Sequence, residues 1–261
     1  MTYTKHVMQV AGVLGLGALL VACAPEQEST LESGYDYATA ETQAMQDEDI
    51  DNPGFLWVDI GEGNFEKVEG EAGKSCAECH GEGASGLKGA TASYPKYSER
   101  DGKLSTVQDE INNCRTSRMK AKAWKWESDE MLGMTAFVKL QSRGMPVNVS
   151  TTGKAAPFYA AGKKFYEERR GGLDLSCKSC HTDYAGISIR ANILTNGLPN
   201  GFPTYRLKWQ KVGSLHRRFR GCNKNVRSTP YKQGADEYTN LELYITAKAN
   251  GMPIETPAVR N

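Results

Sequence analysis

The pentapeptides Cys76-Ala77-Glu78-Cys79-His80 and Cys177-Lys178-Ser179-Cys180-His181 repeat one pattern, C-x-x-C-H, in a chain of 261 residues that holds seven Cys and four His. Two thiols at this spacing can form thioethers with both vinyl groups of one haem, while the imidazole that follows ligates iron from the proximal face. A zinc site or a redox dithiol is the competing reading, and zinc wants four N/S ligands in a closed tetrahedral cluster. Cys76 and Cys79 therefore read as the covalent attachment of one haem c, and Cys177 and Cys180 as that of a second. His80 and His181 are the proximal iron ligands, which makes the chain a dihaem c-type cytochrome.

With 39% hydrophobic residues the chain can bury one large core or two small ones. The two motifs lie 101 positions apart, about one small cytochrome domain, so residues 52–150 and 151–261 are expected to form one haem domain each. Lys5 and His6 precede an apolar run over residues 10–22, too short to span a bilayer and placed as the core of a secretory signal over residues 1–23. Export implies a bacterial periplasm. Leu20-Val21-Ala22-Cys23 also fits a lipoprotein signal, with Cys23 as the lipidated residue. Residues 24–51 hold nine acids and no Lys or Arg and read as a flexible leader. Without the leader and Lys5 the net charge of +1 becomes +9 over residues 52–261. An exported basic chain points to anionic substrates or an acidic redox partner, and not to nucleic acid.

The halves align as an internal duplication. The segment Gly61-x-x-x-Phe65 matches Ala161-Gly162-Lys163-Lys164-Phe165 before the haem motifs, with a shared aromatic; Tyr94-Pro95-Lys96-Tyr97 matches Phe202-Pro203-Thr204-Tyr205 after them. Leu104, Val107, Ile111 and Cys114 recur as Val212, Leu215, Phe219 and Cys222, at helical spacing. Each half then closes with a helix that starts at Asp129 or Asp236 and stops at Gly144-Met145-Pro146 or Gly251-Met252-Pro253. The expected fold is mainly α: two tandem class I cytochrome c-like domains related by internal duplication.

The sixth iron ligand in each half is read as Cys114 and Cys222. Met145 and Met252 fall after the closing helices, which is the wrong place, and no Met lies between Thr182 and Asn240. His216 competes with Cys222, and Met119 with Cys114. An inert core thiol is the bland reading of either cysteine, and a disulfide between them is another. A thiolate on iron donates charge and lowers the reduction potential, which suits sulfur chemistry at the ligand better than high-potential shuttling.

The halves differ just before these cysteines, where the first has Asp109 and Glu110 and the second Arg217 and Arg218. Arg218 lies one helical turn before Cys222, so its guanidinium can reach the space beside the sulfur. Nine basic residues and no acid fall between Gly201 and Lys232. Guanidinium forks suit tetrahedral oxyanions, and Arg218 is the expected substrate contact; haem propionates and an acidic partner are the other uses of this charge.

With Arg217-Arg218-Phe219-Arg220-Gly221-Cys222-Asn223 in view, the chain resembles the SoxA family, the dihaem subunits of SoxAX cytochromes in bacterial thiosulfate oxidation. The resemblance covers most of the chain after the leader. It implies a monohaem SoxX partner and an L-cysteine S-thiosulfotransferase activity, which joins thiosulfate oxidatively to the carrier cysteine of SoxY in SoxYZ. Electrons leave to a c-type cytochrome. It also implies that Cys222 is the active cysteine, as thiolate or cysteine persulfide, and that Arg218 binds substrate. The alternatives are a thiosulfate dehydrogenase forming tetrathionate and a non-enzymatic dihaem electron carrier.

Overall fold

The acidic stretch is the first place where the fold departs from the sequence reading. The computed structural model describes residue 2, residues 31–189 and residues 192–261, so the expected signal segment and Cys23 lie outside the described residues. From residue 31 the expected flexible leader is folded. Helix α1 (Ala40–Asp47) starts at Thr39, whose side chain accepts a hydrogen bond from the Thr42 amide. Polar side chains of this helix, and Asn52 just beyond it, then engage the far end of the chain: the Thr42 hydroxyl donates to Asn261 Oδ1 at 2.9 Å, the Val259 amide donates to Gln46 Oε1 at 3.0 Å, and Asn52 Nδ2 donates to the Pro257 carbonyl at 2.8 Å. Low apolar content suggested a tether, but these groups satisfy an exposed strand edge instead of water.

The first half continues with α2 (Phe55–Glu66), α3 (Ala77–His80), the strands β1 (Lys96–Ser98) and β2 (Lys103–Ser105), α4 (Val107–Asn113) and α5 (Asp129–Leu140). The second repeats the order with α6 (Ala156–Glu167), β3 (Ser188–Ile189), β4 (Asn192–Ile193), β5 (Thr204–Arg206), β6 (Lys211–Gly213), α7 (Leu215–Asn225), α8 (Asp236–Lys248) and β7 (Ala258–Arg260). In each half the first and last long helices cross at a glycine. A Cβ on Gly61 would sit 2.2 Å from the Gly133 carbonyl oxygen, and one on Gly162 would sit 2.0 Å from that of Asn240, so only hydrogen lets α2 meet α5 and α6 meet α8. Val58, Phe65, Met134 and Phe137 fill the first core; Phe165, Leu215, Phe219, Tyr238 and Leu241 fill the second.

Hairpins β1–β2 and β5–β6 share one register, Lys96 opposite Ser105 and Thr204 opposite Gly213. The alignment offset grows from 101 at the haem motifs to 108 here, so the second half has seven extra residues between them. The hairpin β3–β4 lies in that interval, with Ile187, Ile189 and Ile193 exposed.

Residues 31–261 form a single compact unit, so the two halves are fused and not strung. The Gly-Met-Pro segments explain how. Gly144 and Gly251 adopt φ of +77° and +89°, the left-handed turn that ends a helix. The chain then crosses to its counterpart: the Gly144 amide donates to the Ile254 carbonyl at 2.9 Å, and the Val147 amide to that of Met252 at 2.9 Å. The Ile254 amide returns the bond to Met145 at 3.0 Å, and Pro146 bridges Pro253. Both segments thus tie one half to the other around a local two-fold axis.

Candidate functional site

Each haem motif sits on a single turn stapled at its start. In the first half the Ser75 amide donates to Glu78 Oε1 at 3.1 Å and the Glu78 amide to Ser75 Oγ at 3.2 Å; in the second, Ser176 and Ser179 do the same for each other at 3.2 and 3.1 Å. The Cys76 amide reaches back to the Phe65 carbonyl at 3.1 Å, and the Phe65 ring lies 6.4 Å from that of His80.

His181 is held more firmly. Its Nδ1 lies 2.7 Å from the Thr195 carbonyl, which fixes the proton there and leaves Nε2 with its lone pair free for a metal. Gly197 lies against the ring, where a Cβ would come within 2.8 Å of Cγ. This donor set fits a covalently attached haem: two thiols and an oriented imidazole on one turn, with Cys222 beside them on α7. Among the described residues no three His, Cys, Asp or Glu side chains converge as a bare ion site, which disfavours the zinc reading. The six described cysteines are free, Cys114 and Cys222 included, so the disulfide alternative is not formed.

Cys114 and Cys222 stand in opposite fields. Burial raises the Cys222 thiol, but Arg218, the His181 side chain and Arg206 outweigh it and bring it down to about 7. Burial also raises the Cys114 thiol; there Glu110 adds to the rise, and Arg118 and Arg100 do not offset it. Burial is the leading cause at Cys76, pushed up to about 11, and at Cys177, pushed up to about 12.

The cause lies one turn back along each helix. Glu110 is neutralised at home: Arg100 donates to it at 3.1 and 3.2 Å, and the Ser105 hydroxyl at 2.7 Å. Arg218 has no carboxylate within ion-pair distance among the described residues, and its influence falls on Cys222 and Arg206 instead. Asp109 and Arg217, the other half of the expected contrast, do different work. Asp109 completes a capping box with Thr106, receiving its amide at 3.0 Å and its hydroxyl at 2.7 Å. Arg217 stacks on Trp209 at 4.6 Å and lies 3.8 Å from Glu127.

His216 does not compete for iron. It is fully buried, its Nδ1 accepts the Gly234 amide at 2.9 Å, its Nε2 lies 3.0 Å from Glu242 Oε2, and the Trp126 ring stacks on it at 4.4 Å. Met119 is buried, and its backbone amide closes the turn begun at Cys114. Sequence reasoning passed over Arg206, which counts there only as one of the nine basic residues between Gly201 and Lys232. Burial and then the Arg218 charge bring its guanidinium down to about 10, while Nε donates to the Asn261 carbonyl at 2.7 Å. The available signal was strand alternation: Tyr205 faces the core, so Arg206 takes the other face.

Comparison with known proteins agrees with this layout. The family described as SoxA/TsdA, cytochrome c domain, matches twice, over residues 60–147 and 161–254. The chain is 43% identical over 231 residues to the L-cysteine S-thiosulfotransferase subunit SoxA of Rhodovulum sulfidophilum, covering 88% of this chain and 80% of that one. It is 40% identical to the subunit of the same name from Paracoccus pantotrophus, over 89% of this chain and 80% of that one. The crystal structure of SoxXA from P. pantotrophus superposes with a TM-score of 0.86 at 40% identity, covering 88% of this chain and 87% of that chain. A twice-matched cytochrome c domain, relatives of one name over most of their length, and a solved structure of the same shape place the chain in the SoxA family, as a haem-binding thiosulfotransferase subunit.

Proposed function

We propose that the chain binds two haem c groups, one through Cys76, Cys79 and His80 and one through Cys177, Cys180 and His181, with Cys114 and Cys222 as distal ligands. On this reading the second half handles thiosulfate. The supporting observation is that Cys222 lies beside the Arg218 guanidinium, which draws its thiol below the ordinary value and has no carboxylate partner among the described residues. Arg218 holds the sulfonate end of thiosulfate through charge-assisted hydrogen bonds, which points the sulfane sulfur at Cys222 or at the incoming carrier cysteine. Haem, when bound, supplies iron that takes the Cys222 sulfur as a ligand and accepts electrons singly.

The bond formed is S–S, between the sulfane sulfur of thiosulfate and the SoxY cysteine of SoxYZ. The cysteine loses its proton, the two sulfurs together lose two electrons, and a c-type cytochrome accepts them. Cys222 takes part as thiolate or as persulfide, the latter formed when its thiolate takes the sulfane sulfur of one thiosulfate, whose S–S bond breaks with sulfite leaving. The assembly is a heterodimer with a monohaem SoxX, located in the periplasm, with Cys23 as a candidate lipid anchor.

The test is intact mass spectrometry of SoxYZ after incubation with the haem-loaded complex, thiosulfate and an oxidised c-type cytochrome. A thiosulfonate adduct on SoxY is expected, together with two haem masses on this chain. Tetrathionate made without any carrier would favour a thiosulfate dehydrogenase, a reading kept open because the matching family covers TsdA as well as SoxA.

A further inference from the structure

The local two-fold axis runs beside a cavity to which both halves contribute, and the contributions are not symmetric. Lys139 of α5 and Glu242 of α8 line it from opposite sides. Their counterparts in the alignment, Thr246 and Thr135, line it too, so each half gives one charged group and one threonine. The cavity offers about 30 Å³ to water centres, room for a water or two. Asn200 also lines it, 3% exposed, with its Oδ1 free of any hydrogen-bond partner. Lys139 and Glu242 are farther apart than a direct ion pair, and an ammonium and a carboxylate at that separation interact across such a polar space.

From Glu242 the connection turns toward α7. Its carboxylate lies 3.0 Å from Nε2 of His216, in the first turn of that helix, close enough for electrostatic attraction but not aligned as a hydrogen bond. Two more groups from the first half close on the same turn. The Trp126 ring stacks on His216 at 4.4 Å and 14°, and Glu127 accepts a hydrogen bond from Ser214, the residue that caps α7. Among the described residues, no side chain of the second half stacks on or hydrogen-bonds to the first turn of helix α4. Its cap is completed by its own Asp109, and the counterpart of His216 there is Gln108. The first half therefore grips the start of α7, whereas α4 is secured from within its own half.

We infer that the first half is a positioning element for the second: Lys139, Trp126 and Glu127, acting on Glu242, His216 and Ser214 of the second half, fix the first turn of α7 and so the direction in which Arg218 and Cys222 point. Arg218 follows His216 by two residues, and Cys222 follows it by six. A small rotation of this turn moves both groups together. The inference rests on the proposed roles of Arg218 and Cys222, but its physical content is the orientation of the cysteine on haem.

A double-variant cycle in the haem-loaded SoxAX-type complex tests it, with Lys139→Met, Glu242→Gln and the two combined. The readouts are the electron paramagnetic resonance g-values of the second haem and turnover of thiosulfate with SoxYZ. Either single variant leaves one buried charge without its counterpart. Each is expected to shift the second haem's g-values while the first haem's stay fixed, and to slow turnover by on the order of 10- to 100-fold, the effect of sub-ångström to ångström misplacement. The combined variant, with no charge left in the cavity, should return both readouts toward the parent.

Single variants that lower thermal stability yet leave the second haem's g-values and turnover as in the parent would overturn the inference. A parent complex that makes no SoxY adduct while its variants still shift the g-values would refute the proposed function and leave the positioning intact. Where Lys139→Met does not accumulate, Trp126→Leu removes the ring from His216 without stranding a charge, and the same shift is expected.

Discussion

Helices α4 and α7 grow from equivalent hairpins, begin at equivalent hydroxyl caps and bear a cysteine at equivalent positions, yet their sulfurs stand in opposite fields. One residue a turn before the cysteine accounts for most of the difference. Glu110 adds negative charge near Cys114, and Arg100 and Ser105 tie it down. Arg218 adds positive charge near Cys222 and has no carboxylate of its own among the described residues. A duplicated scaffold thus sets two cysteines in opposite fields by a change of charge at one half-buried helical position, with the packed faces left alike.

The cysteines themselves test this most severely. Cys222→Ala in the haem-loaded complex is expected to abolish formation of the SoxY thiosulfonate, whereas Cys114→Ala should leave it within about twofold of the parent, as for a substitution away from the reacting atoms. Equal losses would erase the distinction between the halves. Turnover that survives Cys222→Ala with haem in place would remove the cysteine from the chemistry.

The charges one turn back come next. Arg218→Ala is expected to lower kcat/KM for thiosulfate by about 10- to 150-fold, the loss of a charged hydrogen bond worth about 1.5–3 kcal/mol. Arg218→Lys should recover only part of it, because a point charge replaces the planar fork. Glu110→Ala in the same assay is expected to change little, since it frees a half-exposed Arg100 that still holds Asp101 at 2.6 Å. Steady-state kinetics against thiosulfate concentration separates these cases.

A packing test sharpens the independence of the halves. Gly61→Ala drives a methyl group into the Gly133 carbonyl and Gly162→Ala drives one into that of Asn240. Each is expected to cost about 1–3 kcal/mol and to perturb the spectrum of the haem in its own half first. Thermal unfolding followed at both haems reads the outcome. If both haems respond equally to either variant, the halves melt as one unit.

The duplication, the haem motifs, the helical spacing that sets each cysteine and the charge contrast were all legible in the sequence because each is a local pattern: a motif, an offset, a turn of helix. What could not be read joins segments far apart in the chain. Gln46 receives the amide of Val259, Gly144 reaches Ile254, and Lys139 shares a cavity with Glu242, and no spacing rule connects such pairs. Composition misled at residues 31–51, where polar side chains read as solvent-seeking serve as partners for a strand edge. The pair Arg217-Arg218 was legible as charge but not as direction. Arg217 occupies the third helical position and turns to Trp209, which leaves Arg218 alone on the cysteine's side.

The smallest expected effect lies where the halves meet. Burial holds the Glu127 carboxyl above its ordinary 4.5, against the opposing pull of Ser214, Arg217 and Lys211. One of its oxygens, Oε2, is buried without a hydrogen-bond partner. A raised carboxyl binds its proton more tightly in the folded state than in the unfolded one. Stability from this group is therefore fully present below the unfolded value and is lost as pH rises through the folded one. The loss sets in as pH rises through that folded value, and Glu127→Gln, which keeps an acceptor for the Ser214 hydroxyl, removes it. The variant is expected to melt a few degrees higher at pH 7, about 2–4 °C for each kcal/mol in a chain of this size. The gap should close as pH falls below about 4.5, where the parent is itself protonated. A lower melting temperature at pH 7 would mean that the attraction of Arg217 at 3.8 Å outweighs the cost of burial, and that the contact between the halves is an ion pair rather than a buried acid.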